Sequence, residues 1–219
     1  MTAAPTTLTF TVVSPMFIAG ASAGGTHADI DVTTDRHGLP FVPRARVSAR
    51  LRDSALGVVT AFPDLLEPSL QLLGGVGSHH TRRLLTVGDA HLPDPVRGAV
   101  AATLDLHQDN PGAADRLAGL ITDALTTVEA NTAVDRAGAP RRGSLRTARV
   151  VVPGVTLTAD LTWRERPDPA HLTCLARIAL GVTQLGMRGG RGRGTVDTTL
   201  GGDRPGTLAT ADLTAGTRR

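Results

Sequence analysis

Two aspartates separated by one residue are the part of this sequence best suited to chemistry. Asp29 and Asp31 follow a loop of small residues (19–26) and precede an Asp-Arg-His-Gly turn. In an extended segment, residues two apart point to the same side, so the two carboxylates can act together. Carboxylates bind Mg²⁺ and accept protons from hydroxyl groups. The pair is therefore a candidate site for such chemistry, with two solvated loop aspartates as the alternative.

Clusters of arginine are the second feature. The chain of 219 residues has no lysine, so all 23 basic residues are arginine, although the net charge is only +3. They concentrate in Arg44–Arg52, Arg141–Arg149 and Arg188–Arg193. Because a guanidinium group binds phosphate oxygens through two hydrogen bonds, these clusters predict local phosphate-binding surfaces. A general preference for arginine over lysine explains the residue type but not the clustering.

The segment from Gly186 to Gly194 combines glycine with arginine. A dinucleotide-binding loop needs a strand before it and a helix after it, whereas here a helix precedes and a strand follows. An ordered loop whose bare backbone N–H groups and arginines approach phosphates fits this position better. A plain flexible connector is the alternative. The residues proposed to bind are Gly186, Arg188, Gly189, Gly190, Arg191 and Arg193.

Histidine and cysteine provide weaker signals. His27 and His37 flank the aspartates and are candidate general bases, although solvated loop histidines are the favoured interpretation. The His79-His80 pair has no other ligand cluster near it in the sequence, so a metal site there lacks support. A single cysteine, Cys174, excludes an internal disulfide framework and a cysteine-rich zinc site.

Hydrophobic periodicity gives the order strand, helix, strand, insertion, strand, helix, strand. Strands are predicted where apolar and polar residues alternate, and helices where apolar residues recur every three or four positions. Asp89 is interpreted as a turn or packing residue, and Trp163 as a core residue. The predicted elements are a strand from Leu8 to Val12, helix 44–60, strand 83–92, helix 113–130, strand 155–163, a helix from Asp168 to Val182 and strand 195–200.

This order is the split βαβ pattern of an α+β, ferredoxin-like (RRM-like) βαββαβ core. We expect one domain over residues 1–219. Its core covers about 5–92 and 147–200, a thumb-like helical insertion covers about 93–146, and residues 201–219 form a frayed tail. Residues 131–144 are expected to form an exposed hairpin or loop.

Four stretches together resemble the RAMP superfamily, and in particular the backbone subunits of type III CRISPR effector complexes. The glycine-rich loop is one. DIDVTTDRHGLPFVPRARVSARLR (29–52) is similar to the family's aspartate-bearing loop, Gly-x-Pro turn and helix start. LLTVGDAHL (84–92) is similar to a strand ending in Asp-Ala, and NTAVDRAGAPRRGSL (131–145) to the segment at the family's thumb. The stretches occur in the family's order and span nearly the whole chain.

The resemblance implies that the chain binds a guide RNA and a target RNA, assembles with copies of itself and other effector subunits, and cleaves the target at Asp29. It also implies a divalent metal, Mg²⁺, at Asp29, with Asp31 as a second candidate ligand. The family's lysine and glycines at the helix start are absent here. Guide contacts are therefore expected from Arg44, Arg46 and Arg50, and further RNA contacts from Arg136, Arg141 and Arg142.

Two alternatives belong to other functional classes. One is an RNA-binding scaffold in which Asp29 is idle. The other is a guide-processing endoribonuclease that uses a histidine base and no metal, for which a duplicated fold would be expected. A hydrophobic fraction of 41% and a charged fraction of 20% are typical of a soluble globular protein. No secretory signal is seen, so a cytoplasmic location is expected.

Overall fold

The structure is a computed structural model that describes residues 3–18, 30–75, 83–132, 146–187 and 192–213. Strand β1 (Thr7–Val12) has a neighbouring strand on each side in its main sheet. A 3-10 turn, Pro63–Leu65, joins the first two helices. The other strands are β2 (Leu85–His91), β3 (Thr126–Asn131), β4 (Arg146–Val151), β5 (Thr156–Trp163) and β6 (Val196–Leu200); the helices are α1 (Arg44–Ala61), α2 (Leu66–Leu73), α3 (Asp94–Asp105), α4 (Pro111–Leu125), α5 (Pro169–Gly181) and α6 (Arg204–Thr210).

Four strands form an antiparallel sheet in the order β2-β5-β1-β6. The register pairs Phe10 with Leu157 and with Thr198, which fixes the apolar face of β1 against its neighbours. Helices α1 and α5 cover that face, as the alternation in β1 and β5 predicts. The chain is thus an α+β protein with a four-stranded antiparallel sheet packed against helices. This sheet with α1, α2, α5 and α6 is called the main unit below.

The opposite face of the sheet is polar. Thr9 of β1 pairs with Thr158 and with Thr199, and Asp160 and Asp197 share the same face. Thr11, Asp160 and Thr162 are exposed. On β1, β5 and β6 this face therefore carries threonine and aspartate rather than aromatic side chains that could stack on bases. Trp163 lies on the core side, as predicted, and its indole N–H donates to the Pro5 carbonyl over 2.8 Å.

Residues 94–151, from α3 to β4, form the segment called the insertion below. β3 and β4 pair antiparallel from Thr126↔Val151 to Asn131↔Arg146, so they are the arms of a hairpin. The predicted helix 113–130 is too long, because α4 ends at Leu125 and the chain continues as β3. The β-branched run Thr126-Thr127-Val128 favours a strand once β4 supplies a partner. The predicted loop at 131–144 lies almost entirely outside the described residues.

Two further elements differ from the sequence prediction. The region around Pro63 and Pro68, to which the sequence assigns no element, is mostly helical, because Pro68 falls in the first turn of α2, where a missing N–H costs little. The predicted tail contains α6, capped by Asp203, whose carboxylate accepts from the Gly206 N–H. Thr207 is buried, and its Oγ1 accepts from the Leu200 N–H over 2.9 Å, which ties α6 to strand β6.

Hydropathy along the helices bears on a membrane location. Within the described ranges, no helix combines the length and apolar character that crossing a bilayer requires.

Candidate functional site

The aspartate-bearing segment runs beside strand β4. The Ile30 N–H donates to the Thr147 carbonyl over 3.2 Å, and the Arg149 N–H donates to the Ile30 carbonyl over 2.9 Å. The Ile30 side chain packs against a small apolar cluster of Phe17 and Val150. Asp29 itself lies outside the described residues. Ile30, the residue that follows Asp29 in the chain, is fixed to β4 by two backbone hydrogen bonds.

Asp31 is already engaged by groups of the chain. Its Oδ1 accepts from the Val32 N–H over 2.8 Å and lies 3.3 Å from Nε of Arg149. The same guanidinium reaches the end of α4, with Nη1 2.6 Å from Oδ1 of Asp123 and 3.0 Å from Oγ1 of Thr126. Arg149 therefore connects the aspartate segment to the insertion, and the Asp31 carboxylate is compensated by a cation of the protein.

The turn after the aspartates is built by Asp35 and Gly38. The Asp35 carboxylate accepts from the backbone N–H groups of His37 (2.8 Å) and Leu39 (3.1 Å). Gly38 has φ +77°, and a Cβ there would lie 2.8 Å from the Ala118 carbonyl oxygen of α4. Thr122 donates to the Gly38 carbonyl over 2.7 Å. Only glycine fits this close, left-handed turn, which docks the segment on α4.

His37 does not stand free beside the aspartates. Its Nε2 accepts from Nε of Arg36 over 3.1 Å. The favoured interpretation of a solvated loop residue agrees with this arrangement. His27, His79 and His80 lie outside the described residues.

Helix α1 begins on an aspartate supplied by β2. The register of β2 with β5 shifts between Val87 and Ala90, and this bulge directs Asp89 towards the helix. Its Oδ1 accepts from the Arg44 N–H over 2.6 Å, and Pro43, at the N-cap, supplies no side-chain cap of its own. Asp89, interpreted from the sequence as a turn or packing residue, instead lies within β2 and places its carboxylate at a helix N-terminus, where anions are favoured.

The three arginines proposed at the start of α1 differ in their surroundings. Arg44 is exposed, whereas Arg46 and Arg50 are partly buried. Nη2 of Arg50 donates to the Gly186 carbonyl over 3.0 Å, and its Nη1 lies 3.3 Å from Oδ2 of Asp53. Arg50 therefore supports the glycine-rich loop, while Arg44 presents its cation to solvent.

Both ends of the glycine-rich loop are anchored by backbone contacts. Leu185 N–H donates to the Gly194 carbonyl and Gly194 N–H to the Pro15 carbonyl, at 2.8 and 2.9 Å. Gly186 has φ +84°, and a Cβ there would lie 2.6 Å from the Phe17 carbonyl oxygen. At Gly194, with φ +71°, a Cβ would lie 2.1 Å from the Leu185 carbonyl oxygen. The ordered-loop interpretation is supported at these two ends.

Arg193 connects this loop to the insertion. Its guanidinium forms an ion pair with the Glu129 carboxylate of β3, and both side chains are largely buried. Sequence alone proposed Arg193 as an RNA contact. The structure gives it a protein partner, so its charge is at least partly committed within the chain.

The remaining proposed residues fall in the gaps between the described ranges. These are Arg136, Arg141 and Arg142 of the hairpin segment and Arg188, Gly189, Gly190 and Arg191 of the glycine-rich loop. Three residues that sequence reasoning did not assign to the site are Asp89, Asp123 and Arg149. Arg149 was counted only as part of an arginine cluster. Its signal in the sequence is its alternating position in a strand, where every second side chain turns inward.

The predicted metal ligand Asp29 lies outside the described residues. Among the residues that the structure describes, no three His, Cys, Asp or Glu side chains converge to hold an ion. Burial raises the pKa of the Cys174 thiol to about 11, an effect larger than the lowering by Arg177. A thiol in its neutral form is a poor nucleophile at neutral pH.

An open cleft lies at the N-terminal end of α5, where its polar residues have structural roles. Asp168 and His171 form a capping box there, and Nε2 of His171 lies 2.6 Å from Oε1 of Gln71 on α2. Asp168 and His171 therefore cap the start of α5, and His171 also links that helix to α2.

Comparison with known proteins gives a match in structure alone. No protein-family model matches the chain, and no curated protein matches it. A chain of the type III-B Cmr-beta complex bound to cognate target RNA matches with a TM-score of 0.61 and 11% identity, over 90% of this chain and 97% of that one. A chain of the apo Cmr-beta structure matches with 0.63 and 13%, over the same shares. This chain therefore shares its fold with a chain of a type III-B CRISPR complex.

Proposed function

We propose that this chain is a guide-RNA-binding backbone subunit of a type III CRISPR effector complex and that it cleaves complementary target RNA at Asp29. The observation that carries the proposal is the match to Cmr-beta chains over 90% of this chain and 97% of theirs. A likeness that leaves almost no part of either chain unmatched supports a common role more strongly than a shared core would. One of the matched complexes is bound to cognate target RNA.

The topology supports the same assignment. Numbering only the four strands of the large sheet in chain order gives the spatial order 2-3-1-4, all antiparallel, with α1 and α2 after the first strand and α5 after the third. This order supports the ferredoxin-like core that the sequence predicts. We accordingly treat residues 1–219 as one RAMP domain with a thumb-like insertion.

The distribution of charge supports RNA binding along one edge of the main unit. Arg44 is exposed at the start of α1, and Arg50 of the same helix donates to the Gly186 carbonyl, so the Arg44–Arg52 cluster lies beside the beginning of the glycine-rich loop. The outer sheet face is less suited to RNA, because the exposed Asp160 carboxylate there repels phosphates. Base pairing between guide and target would supply the sequence specificity.

The proposed cleavage step uses the neighbouring 2′-hydroxyl of the target. The Asp29 carboxylate takes the hydroxyl proton, the 2′-oxygen bonds to the adjacent phosphorus, and the bond from phosphorus to the 5′-oxygen breaks. The 5′-oxygen leaves and takes up a proton from water. Asp29 also holds Mg²⁺ in this proposal, which stabilises negative charge on the phosphate when bound. Mg²⁺ commonly needs only one or two protein carboxylates when RNA phosphates complete its shell.

Reconstitution of the complex tests this proposal. The chain, guide RNA and partner subunits are mixed with labelled complementary RNA and Mg²⁺, with wild type compared with Asp29→Asn and with Asp160→Asn as the matched control. We expect regularly spaced cuts from wild type and Asp160→Asn, and loss of at least about 100-fold in rate for Asp29→Asn. A chelator should abolish cutting. Undiminished cuts by Asp29→Asn would remove Asp29 from the active site.

The scaffold function is the second candidate. It is favoured by the lack of a metal-ligand cluster within the described residues and by the engagement of Asp31 with Arg149. Tight target binding with no cuts by any variant would support it. The guide-processing endoribonuclease gains no support, because the described residues contain one four-stranded sheet rather than two.

A further inference from the structure

Arg149 occupies a junction between three parts of the chain. It lies on β4, where its backbone N–H donates to the Ile30 carbonyl, and it pairs with Val128 of β3 on the other side. Its side chain is only 12% exposed. Its backbone contacts the aspartate segment, and its side chain lies between that segment and the end of α4.

The guanidinium group makes a separate contact with each neighbour. Nε faces Asp31 Oδ1 at 3.3 Å, while Nη1 faces Asp123 Oδ1 at 2.6 Å and Thr126 Oγ1 at 3.0 Å. The guanidinium is planar and its donors have a fixed geometry, so satisfying one carboxylate sets the position of the other. Without this cation, the Asp31 and Asp123 carboxylates would lose the one group that contacts and compensates both of them.

We infer that Arg149 is a positioning residue for the aspartate segment. It fixes residues 30–32 on β4 through one backbone hydrogen bond and one ion pair, which together set the positions of Ile30 and Asp31. The inference rests on the proposed function in so far as Asp29 is the cleaving residue. It also separates Arg149 from the rest of the Arg141–Arg149 cluster, because a cation shared by two carboxylates and largely buried is a poor phosphate ligand.

Two measurements on the full-length chain test the inference, both applied to Arg149→Gln and Arg149→Lys. The first is amide hydrogen exchange of the peptide covering residues 30–33. The second is single-turnover target cleavage in the reconstituted complex, together with target affinity. Arg97→Gln is the matched control, since Arg97 forms an exposed ion pair with Asp94 on α3 at 3.1 Å.

For Arg149→Gln we expect exchange in the 30–33 peptide to rise about tenfold, because one charge-assisted contact is lost. Cleavage should fall about 10- to 100-fold at unchanged target affinity, since misplacing a reacting group by about 1 Å has that effect. Arg149→Lys keeps the charge but cannot span both carboxylates, so it should fall between Arg149→Gln and wild type. Arg97→Gln should change neither measurement.

Unchanged exchange and cleavage in Arg149→Gln would overturn the inference. A parallel loss of target affinity with a weaker salt dependence would also overturn it, because Arg149 would then be a phosphate contact. If Arg149→Gln fails to fold, Asp123→Asn provides the same test, because it releases one anchor of the guanidinium at a side chain that is 63% exposed.

The exchange measurement is independent of catalysis. If Asp29→Asn cuts normally, the proposed function fails, yet faster exchange in Arg149→Gln would still establish the positioning contact. If Asp29→Asn is inactive and Arg149→Gln behaves as wild type in both measurements, only the inference about Arg149 fails.

Discussion

The main unit and the insertion both contain two long helices, but these helices are buried to very different degrees. In the main unit, α1 buries four side chains and α5 buries six. In the insertion, α3 and α4 bury none completely, and Leu106 and Leu120 are 83% and 68% exposed. The helices of the insertion touch the main core through partly buried residues such as Ile121 and Leu125, whereas Val151 at the end of β4 is fully buried in it.

This difference matters because α4 carries the clearest amphipathic stripe in the sequence. Such a stripe predicts a helix correctly, but it does not say whether a partner surface covers it. The free energy of folding must therefore come mainly from the main unit, where apolar area is removed from water. The insertion instead helps to position the aspartate segment. Asp123 and Thr126 hold the Arg149 guanidinium, which contacts Asp31.

A leucine-to-alanine substitution in one helix of each region should give the largest difference in the free energy of unfolding. Leu175 on α5 is fully buried, so Leu175→Ala should lower the free energy of unfolding by about 2–5 kcal/mol. Leu120→Ala on α4 should change it by less than about 0.5 kcal/mol, because little area is lost and alanine favours the helix. Urea unfolding of both variants checks this. Equal losses would mean that the insertion is as well packed as the main unit.

Alanine substitutions at two glycines on the C-terminal side of the glycine-rich loop should show a smaller difference in the free energy of unfolding. Gly194 and Gly192 both have positive φ, +71° and +70°, but a Cβ meets the Leu185 carbonyl only at Gly194. Gly192→Ala should cost about 1–2 kcal/mol for the left-handed backbone alone. Gly194→Ala should cost more, since strained positions are worth about 1–3 kcal/mol before any clash.

Thermal unfolding midpoints of the two glycine variants provide the check. The loop joins the main unit to Glu129 of the insertion through Arg193, so the comparison also reports how firmly the two regions are connected. If Gly194→Ala is no worse than Gly192→Ala, the loop is not held against Leu185 as described.

The smallest effect is expected at the cap of α1. Asp89→Ala removes the acceptor for the Arg44 N–H and should lower the free energy of unfolding by about 1 kcal/mol. Asp89→Asn keeps an acceptor oxygen and should lose only part of that amount. Chemical denaturation of the two variants measures the difference. Identical losses would show that the negative charge, rather than the hydrogen bond, stabilises the helix start.

The prediction from sequence succeeded best where one face of an element is buried. The strands around Phe10 and Leu157 and the helices containing Leu51 and Leu175 follow their periodicities closely, because burial repeats every two residues in a strand and about every 3.6 in a helix. It failed at Thr126, where a helical pattern runs directly into a strand. The β-branched residues there follow their tertiary partner β4 rather than the preceding helix.

For the candidate site, residue types and their order along the chain establish which groups are present: a pair of aspartates, clustered arginines and a glycine-rich loop. How those charges are used depends on the packing of strands and helices. Arg50 supports the Gly186 carbonyl, Arg193 pairs with Glu129, and Arg149 is shared by Asp31 and Asp123, while Arg44 remains exposed. The physical reason is that an ion pair depends on distances of a few ångströms between residues far apart in sequence, such as the 118 positions from Asp31 to Arg149 (149 − 31). Residue types and local spacing do not contain those distances, because they are set by how the strands and helices pack.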